Sequence, residues 1–548
     1  MSEDQAAKRK AGASTAIPEE IRARIPLMRP EWLPNFLRLI EHERAPRWNT
    51  RCGDRLEKDD LPRIDAFARM LTEFHNAQTQ ESTRFEAASE DRRAAPPAKI
   101  LRWLREQARD SLAIRARLRE TTDEIRAAQG RDLDLARDFP RLRPMTRADF
   151  ARRLETIVPQ TIDLDRLIVN PTSGTTGQPI LAPNHPVAVA CYDSLIQAAL
   201  KLNGLTPDYA RSDGVAAVQI CAQRRTITYA TVHAALNGAG FAKINLAASE
   251  WRSDWDARDY IASLAPFFLS GDPYSFSVLL DYLQRMAAIN GANDGDGEKT
   301  TTTALFGESG YRPRALISTA LRLSPGLRAK LETAFACPVV DLYSLNETGP
   351  IACSVPGAGE RMAQLTPDIY IEAIDPNTGA PVPDGDVGEI AVTGGRNPYL
   401  PLLRYVTGDR GRVFRRTDGS AQLELLHSRD LVLFEYAGQD PGRRLAAINP
   451  IDIARVLRAF PIVQFQFAQF KNRDCLLTLQ ISGKPPLRHE NQIRAQLDEL
   501  FGFAADAGLR IDYTEDWSPA RYGRNGGGDA TRKVAPFLRE TGAGREDA

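Results

Sequence analysis

Cysteine is scarce in this chain of 548 residues: Cys52, Cys191, Cys221, Cys337, Cys353 and Cys475 are scattered singly, with no C-x-x-C pair. That excludes a disulfide-dense secreted scaffold, and reduced thiols in a cytoplasmic protein are the expectation. Excess charge of either sign is missing too. Lys plus Arg is 71 and Asp plus Glu is 71, so no whole-protein field draws the chain onto nucleic acid or an anionic membrane. Nowhere do about 18 apolar residues run together, and stretches such as GVAAVQICA are soon broken, so no transmembrane helix is expected. The amino end has a basic cluster at Lys8, Arg9 and Lys10 without an apolar stretch behind it, so residues 1–17 read as a frayed, disordered tail and not as a secretory signal. Lysine is thinly spread: none occurs between Lys330 and Lys471, and beyond Lys484 there is only Lys533. Against these absences stand 43% hydrophobic and 26% charged residues, over about three or four times the length of a typical domain. The expectation is a folded, soluble protein of more than one domain.

Residues 18–154 are patterned as helices. In AKILRWLREQARDSLAIRARLRETTDEIRAA, apolar Leu101, Leu104, Leu112, Leu118 and Ile125 recur at three, four or multiples of such steps. Pro96, Pro97 and Pro140 punctuate the region, which favours helices packed on a larger body over a free coiled coil. The period changes at Leu167 to Val169, a short strand that empties into PTSGTTGQP. Further on, the runs Val215 to Cys221, Ala315 to Ile317 and Val339 to Leu342 alternate with helical stretches, the rhythm of βα units around a mostly parallel sheet. Residues 291–303 read as a mobile surface insertion. From Ile369 to Leu403 the texture turns to strand and turn, a β subdomain, and after Ser428 a small βαβ-like tail follows. The fold class is α/β: a large multi-sheet α/β amino-terminal body with a β subdomain, residues 18–428, plus a small mobile α+β carboxy-terminal domain, residues 429–548.

Three constellations carry chemistry. In the first, Ser173, Gly174, Thr175, Thr176 and Gly177 follow a strand; glycines bring backbone N–H groups close to a ligand and hydroxyls add donors, so the loop can wrap phosphate oxygens. It is not a Walker loop, since no G-K-[ST] follows, and a plain Ser/Thr/Gly connector explains the same residues about as well. In the second, Asp341 to Gly349 (D-L-Y-S-L-N-E-T-G) follow an apolar strand. A ring at a strand end can stack on a purine, and a carboxylate four residues on can hold Mg²⁺; a strand leading into an N-capped helix with an exposed glutamate is the plainer alternative. The third is R-Y-V-T-G-D, Arg404 to Asp409. An aspartate held at a turn can accept from both hydroxyls of a ribose, but for T-G-D taken alone a simple hairpin turn is the better account.

Taken together and in this order, S-G-T-T-G-Q-P, Y-S-L-N-E-T-G and R-Y-V-T-G-D-R-G-R, followed by S-R-D at Ser428 to Asp430, resemble the adenylate-forming superfamily of acyl- and aryl-CoA ligases (AMP-binding enzymes). Within it, PLLRYVTGD and INPIDIARVLRAFPIVQFQF are most similar to the branch of phenylacetate-CoA ligases and capsule-biosynthesis ligases. The resemblance covers roughly residues 160–540.

The resemblance implies an ATP-dependent ligase in which a carboxylic acid, expected to be aromatic, is converted to an acyl-adenylate with release of pyrophosphate and then passed to the thiol of CoA. It implies ATP and Mg²⁺, with CoA as co-substrate. Ser173 to Gly177 would hold the β- and γ-phosphates, Tyr343 with Leu342 and Ser344 would face adenine, Glu347 would be the metal ligand, and Asp409 would clasp the ribose. Arg429 would contact ribose or phosphate and Asp430 would be the hinge of the carboxy-terminal domain. The catalytic cation aimed at the α-phosphoryl oxygens is implied to be Lys533. An acid pocket is implied around ATVHAALNGAGF and LISTALRL, with His233 as gate, Asn237, Gly238 and Gly240 making room, and Thr319 on another wall. A homodimer would be compatible with it, and nucleic acid and membrane insertion are not expected. Two alternatives stay open: a carrier-protein arm, amine or other nucleophile as acceptor, and a non-catalytic nucleotide-binding relative, since Gln178 and Asp529 depart from the family pattern.

Overall fold

The computed structural model describes residues 17–49, 53–81, 96–171, 181–223, 226–291, 305–321, 323–416, 420–427, 434–435, 447–448, 452–453, 456–457, 460, 462–470, 472–481, 487–502, 508–513 and 537–539. The loop Ser173 to Gly177 with Gln178, the segment 292–303, the tail 1–16, Arg429, Asp430 and Lys533 lie outside the described residues.

The helical region expected for residues 18–154 is present, with helices at Leu33–Ile40, Leu61–Glu81, Ala98–Gln107, Leu112–Gln129 and Arg147–Ile157 among its elements. Local chemistry fixes their ends: Ser111 accepts from Ile114 N, Gly130 ends the same helix in the left-handed conformation, and Thr146 and Asp149 form a capping box. The region does not stand apart as a bundle. Trp32, Phe36 and Leu39 join the core of the parallel sheet, whereas Ile100, Leu104, Phe139 and Phe150 join a second core under the antiparallel strands.

After the short antiparallel pair β1 (Ile168–Pro171) and β2 (Leu181–Asn184) comes one continuous sheet, twelve-stranded among the described residues. Its parallel part runs β5 (Ala239–Asn245), β3 (Val215–Cys221), β6 (Phe268–Gly271), β7 (Ala315–Ser318) and β8 (Val339–Leu345), with β4 (Tyr229–His233) antiparallel at one edge. β3 reads V-A-A-V-Q-I-C and is buried along nearly its whole length, as expected of a strand covered on both faces. From β8 the sheet continues antiparallel through β9 (Gly349–Ser354), β10 (Met362–Gln364), β14 (Ala421–His427), β13 (Leu402–Arg415), β12 (Val387–Gly394) and β11 (Ile369–Ile374). The expected β subdomain is thus joined to the α/β part through the β8–β9 pairing. No helix follows β8, because Gly349, at φ +73, turns the chain straight back as a hairpin.

The carboxy-terminal strands β15 (Phe434–Glu435) and β16 (Ala447–Ile448) pair with each other. β17 (Ile462–Gln469), β18 (Cys475–Ile481), β19 (Leu509–Tyr513) and β20 (Phe537–Arg539) form a four-stranded sheet in the order β19-β18-β17-β20. With the helix Leu487–Phe501 they share a core of their own, in which Phe467 stacks on Phe501 at 5.1 Å between ring centres. Among the described residues no helix is long and apolar enough to cross a membrane.

Candidate active site

The carboxyl ends of β7 and β8 open onto a cavity of about 370 Å³, and four expected nucleotide-binding residues line it: Leu342, Tyr343, Ser344 and Asp409. Crevices at the carboxyl ends of parallel strands are where α/β sheets bind ligands, because backbone groups and loop side chains converge there. The two sequence motifs meet through a hydrogen bond, since Tyr343 Oη donates to Asp409 Oδ2 at 2.8 Å. Asp409 N in turn donates to Thr407 Oγ1 at 3.1 Å, and Thr407 Oγ1 donates to Ile390 O at 3.0 Å. The aspartate is therefore oriented by a chain of contacts and keeps acceptor capacity for a ligand.

T-G-D is not a hairpin turn. It lies inside β13, where the partner strand β12 advances two residues, from Glu389 to Ala391, while β13 advances four, from Arg410 back to Val406. The extra residues form a bulge at Gly408, whose φ of +93 suits glycine, and the bulge turns Asp409 toward the cavity. Asp341 and Arg328 also line the space; burial pushes the Asp341 carboxyl up to about 6 against the pull of Arg328.

Glu347 sits on the β8–β9 hairpin and is buried, not exposed. Its Oε1 accepts from Tyr405 Oη at 2.7 Å, and Arg147 Nη1 stands 3.9 Å from the same oxygen. The hairpin is clamped from other sides as well. Arg396 Nη1 donates to Thr348 O at 2.6 Å while pairing with Asp368 at 3.1 Å. The Tyr192 ring lies 2.4 Å from where a Cβ on Gly349 would sit, so only glycine lets the helix Pro186–Leu202 approach so closely. Among the described residues no three His, Cys, Asp or Glu side chains converge into a metal cage. One buried carboxylate suits Mg²⁺ delivered with a nucleotide, since that ion keeps several waters and takes its remaining oxygens from phosphates.

The expected acid pocket is arranged differently from its sequence reading. His233 Nδ1 lies 2.9 Å from the Asp193 carboxylate, and the ring stacks on Phe241 at 5.3 Å. Burial disfavours the imidazolium, but Asp193 and Asp54 together outweigh it and the His233 pKa is raised. Asn237 is exposed in the left-handed conformation at φ +51. Gly238 and Gly240 do not leave room for a ligand: a Cβ on Gly238 would lie 2.3 Å from the Trp32 ring, and one on Gly240 would lie 2.9 Å from Leu39 Cδ1. The space is filled by the amino-terminal helical region, which no local pattern announced. Thr319 donates its N–H to Gly271 O at 3.1 Å and precedes Ala320 and Leu321, which border the cavity of Tyr343 and Asp409. Gly238→Ala, at φ +81, is expected to lower stability by about 2–4 kcal/mol from backbone strain and overpacking. A urea-denaturation midpoint equal to wild type would contradict the Trp32 contact.

Residues 206–397 match the AMP-binding enzyme family. Over 93 residues the chain is 34% identical to a phenylacetate-coenzyme A ligase from Aromatoleum evansii and 33% identical to one from Pseudomonas putida, which is 17% of this chain and 21% of each relative. The chain thus aligns with about a fifth of the length of these curated relatives. A solved 2-hydroxyisobutyryl-CoA ligase, in complex with 2-HIB-AMP and CoA in its thioesterification state, superposes with a TM-score of 0.47 at 16% identity, covering 82% of this chain and 92% of that one. The family match and the two partial relatives support a place in the adenylate-forming superfamily.

Proposed function

We propose, from the premise that residues 206–397 are a segment of the AMP-binding enzyme family, that the protein activates a carboxylic acid with ATP to an acyl-adenylate, releasing pyrophosphate, and then passes the acyl group to the thiol of CoA. An aryl acid is the favoured substrate. The observation that carries this reading is the meeting of Leu342, Tyr343, Ser344 and Asp409 in one cavity of about 370 Å³, with Tyr343 and Asp409 hydrogen-bonded to each other. Two motifs set far apart in the chain have no structural need to build a shared cleft, whereas a nucleoside needs both a stacking ring and an acceptor for its ribose.

In this reading Tyr343 faces the adenine, and Asp409, held by Tyr343, accepts from the ribose hydroxyls. Glu347, oriented by Tyr405, is the carboxylate for Mg²⁺; when bound, that ion would supply charge neutralisation at the phosphates. Ser173 to Gly177 wrap the β- and γ-phosphates, Arg429 adds a contact, and Lys533 aims its charge at the α-phosphoryl oxygens. The small domain after residue 428 pivots near Asp430 between the two half-reactions. Its separate core around Phe467 and Phe501 is compatible with such a division.

Asp409→Ala is expected to weaken ATP binding by about 2 kcal/mol, the loss of hydrogen bonds accepted by a charged group; unaltered affinity by calorimetry would remove the ribose assignment. The activity itself is tested with a panel of aryl and fatty acids and hydroxylamine as trap. One acid should drive hydroxamate and AMP formation without CoA. ATP binding without turnover of any acid would favour a non-catalytic relative.

A further inference from the structure

Arg147 opens the helix Arg147–Ile157, and the residues around it are tied to β13. Met145 N donates to Leu403 O at 3.2 Å, and Val406 N donates to Met145 O at 2.9 Å, so the backbone before the helix is stitched to the strand that carries Tyr405 and Asp409. One turn into the helix, Phe150 packs on the Tyr405 ring at 4.8 Å. These contacts bring the Arg147 guanidinium to 3.9 Å from Glu347 Oε1, the oxygen that accepts from Tyr405. At that distance the guanidinium is a counter-charge to this carboxylate and not its hydrogen-bond donor. The side chains are 15% and 3% exposed, so water and salt screen their attraction weakly.

Two facts give this charge a use beyond neutralising a buried carboxylate. The segment Thr172 to Gln178, which the proposed function sets around the phosphates, contains no lysine or arginine. The carboxylate beside Arg147 is the one that the proposed function commits to magnesium. We infer that Arg147, from the amino-terminal helical region, is a positioning residue for Glu347 and the polyphosphate: it balances Glu347 while the cleft is empty and turns its charge to the phosphates once Glu347 is engaged. The inference rests on the proposed role of Glu347 and assigns part of the nucleotide site to a segment outside the matched residues 206–397.

The test is calorimetric binding of a non-hydrolysable ATP analogue to the full-length protein, at saturating and at titrated Mg²⁺, for wild type, Arg147→Gln, Arg147→Lys and Glu347→Gln. Arg147→Gln should weaken the analogue on the order of tenfold at saturating Mg²⁺, the loss of a charge-assisted contact. It should also lower the Mg²⁺ concentration needed for half-effect, because a competing cation has left the carboxylate. Arg147→Lys should restore both toward wild type. These changes run in opposite directions, which general loosening of the fold would not produce. Unchanged constants in Arg147→Gln, or a higher Mg²⁺ requirement together with weaker binding, overturn the inference while Glu347→Gln still impairs binding. If Glu347→Gln leaves binding and its Mg²⁺ dependence as in wild type, the metal reading of Glu347 itself falls, and this inference with it.

Discussion

Arg404→Ala is expected to destabilise the body of the protein by about 3–5 kcal/mol, the range for removing one partner of a buried ion pair. Arg404 is 1% exposed and uses all of its guanidinium donors. Nε and Nη2 reach the two oxygens of Glu372, each at 3.0 Å; Nη1 reaches Pro140 O at 2.6 Å and Leu142 O at 2.8 Å; Nη2 also reaches Gly379 O at 2.7 Å. The substitution would strand a buried carboxylate and three carbonyl oxygens, and it would remove the side-chain bonds that run from β13 to Pro140 and Leu142 in the amino-terminal helical region. Glu372→Ala should have a comparable effect, and the double variant should lose less than the two single losses added together, because both remove the same pair. Chemical denaturation followed by tryptophan fluorescence reads this; a loss below about 1 kcal/mol for Arg404→Ala would show that the buried pair contributes little. The first residue of R-Y-V-T-G-D thus serves the frame and the last serves the cleft.

Lys533→Ala should lower the rate of adenylate formation by on the order of a thousandfold or more, the scale on which a single cation acts on a transferring phosphoryl group, while ATP affinity stays near wild type. Charge builds on the α-phosphoryl oxygens and on departing pyrophosphate, and Lys533 is the one lysine beyond Lys484. Single-turnover quench separates the two effects. Unchanged adenylation would move the role to another cation, and equal losses in binding and rate would make Lys533 a plain binding residue.

The strands β3, β7 and β8 were legible because their apolar runs are short, mostly aliphatic, and alternate with helical stretches. The pairing of Tyr343 with Asp409 was legible only as a shared theme, since each motif stands at a strand and neither names its neighbour. What escaped the sequence is long-range packing. Gly238 and Gly240 look like residues that leave space, and nothing nearby says that Trp32 and Leu39 take it. Tyr405 sits in a motif read for its aspartate, so its bond to Glu347 was hidden, and Tyr192 and Arg147 lie in helices with no local sign of chemistry. The T-G-D bulge resembles a turn in sequence because glycine at positive φ serves both; only the register of β12 against β13 tells them apart.

The most direct test of the account is ATP–pyrophosphate exchange in the absence of CoA. Reversible adenylation predicts that labelled pyrophosphate enters ATP only when the right carboxylic acid is present, and that Asp409→Ala and Lys533→Ala suppress it. Acid-independent hydrolysis to ADP, or exchange that is absent with every acid although ATP binds in the cleft, would contradict it.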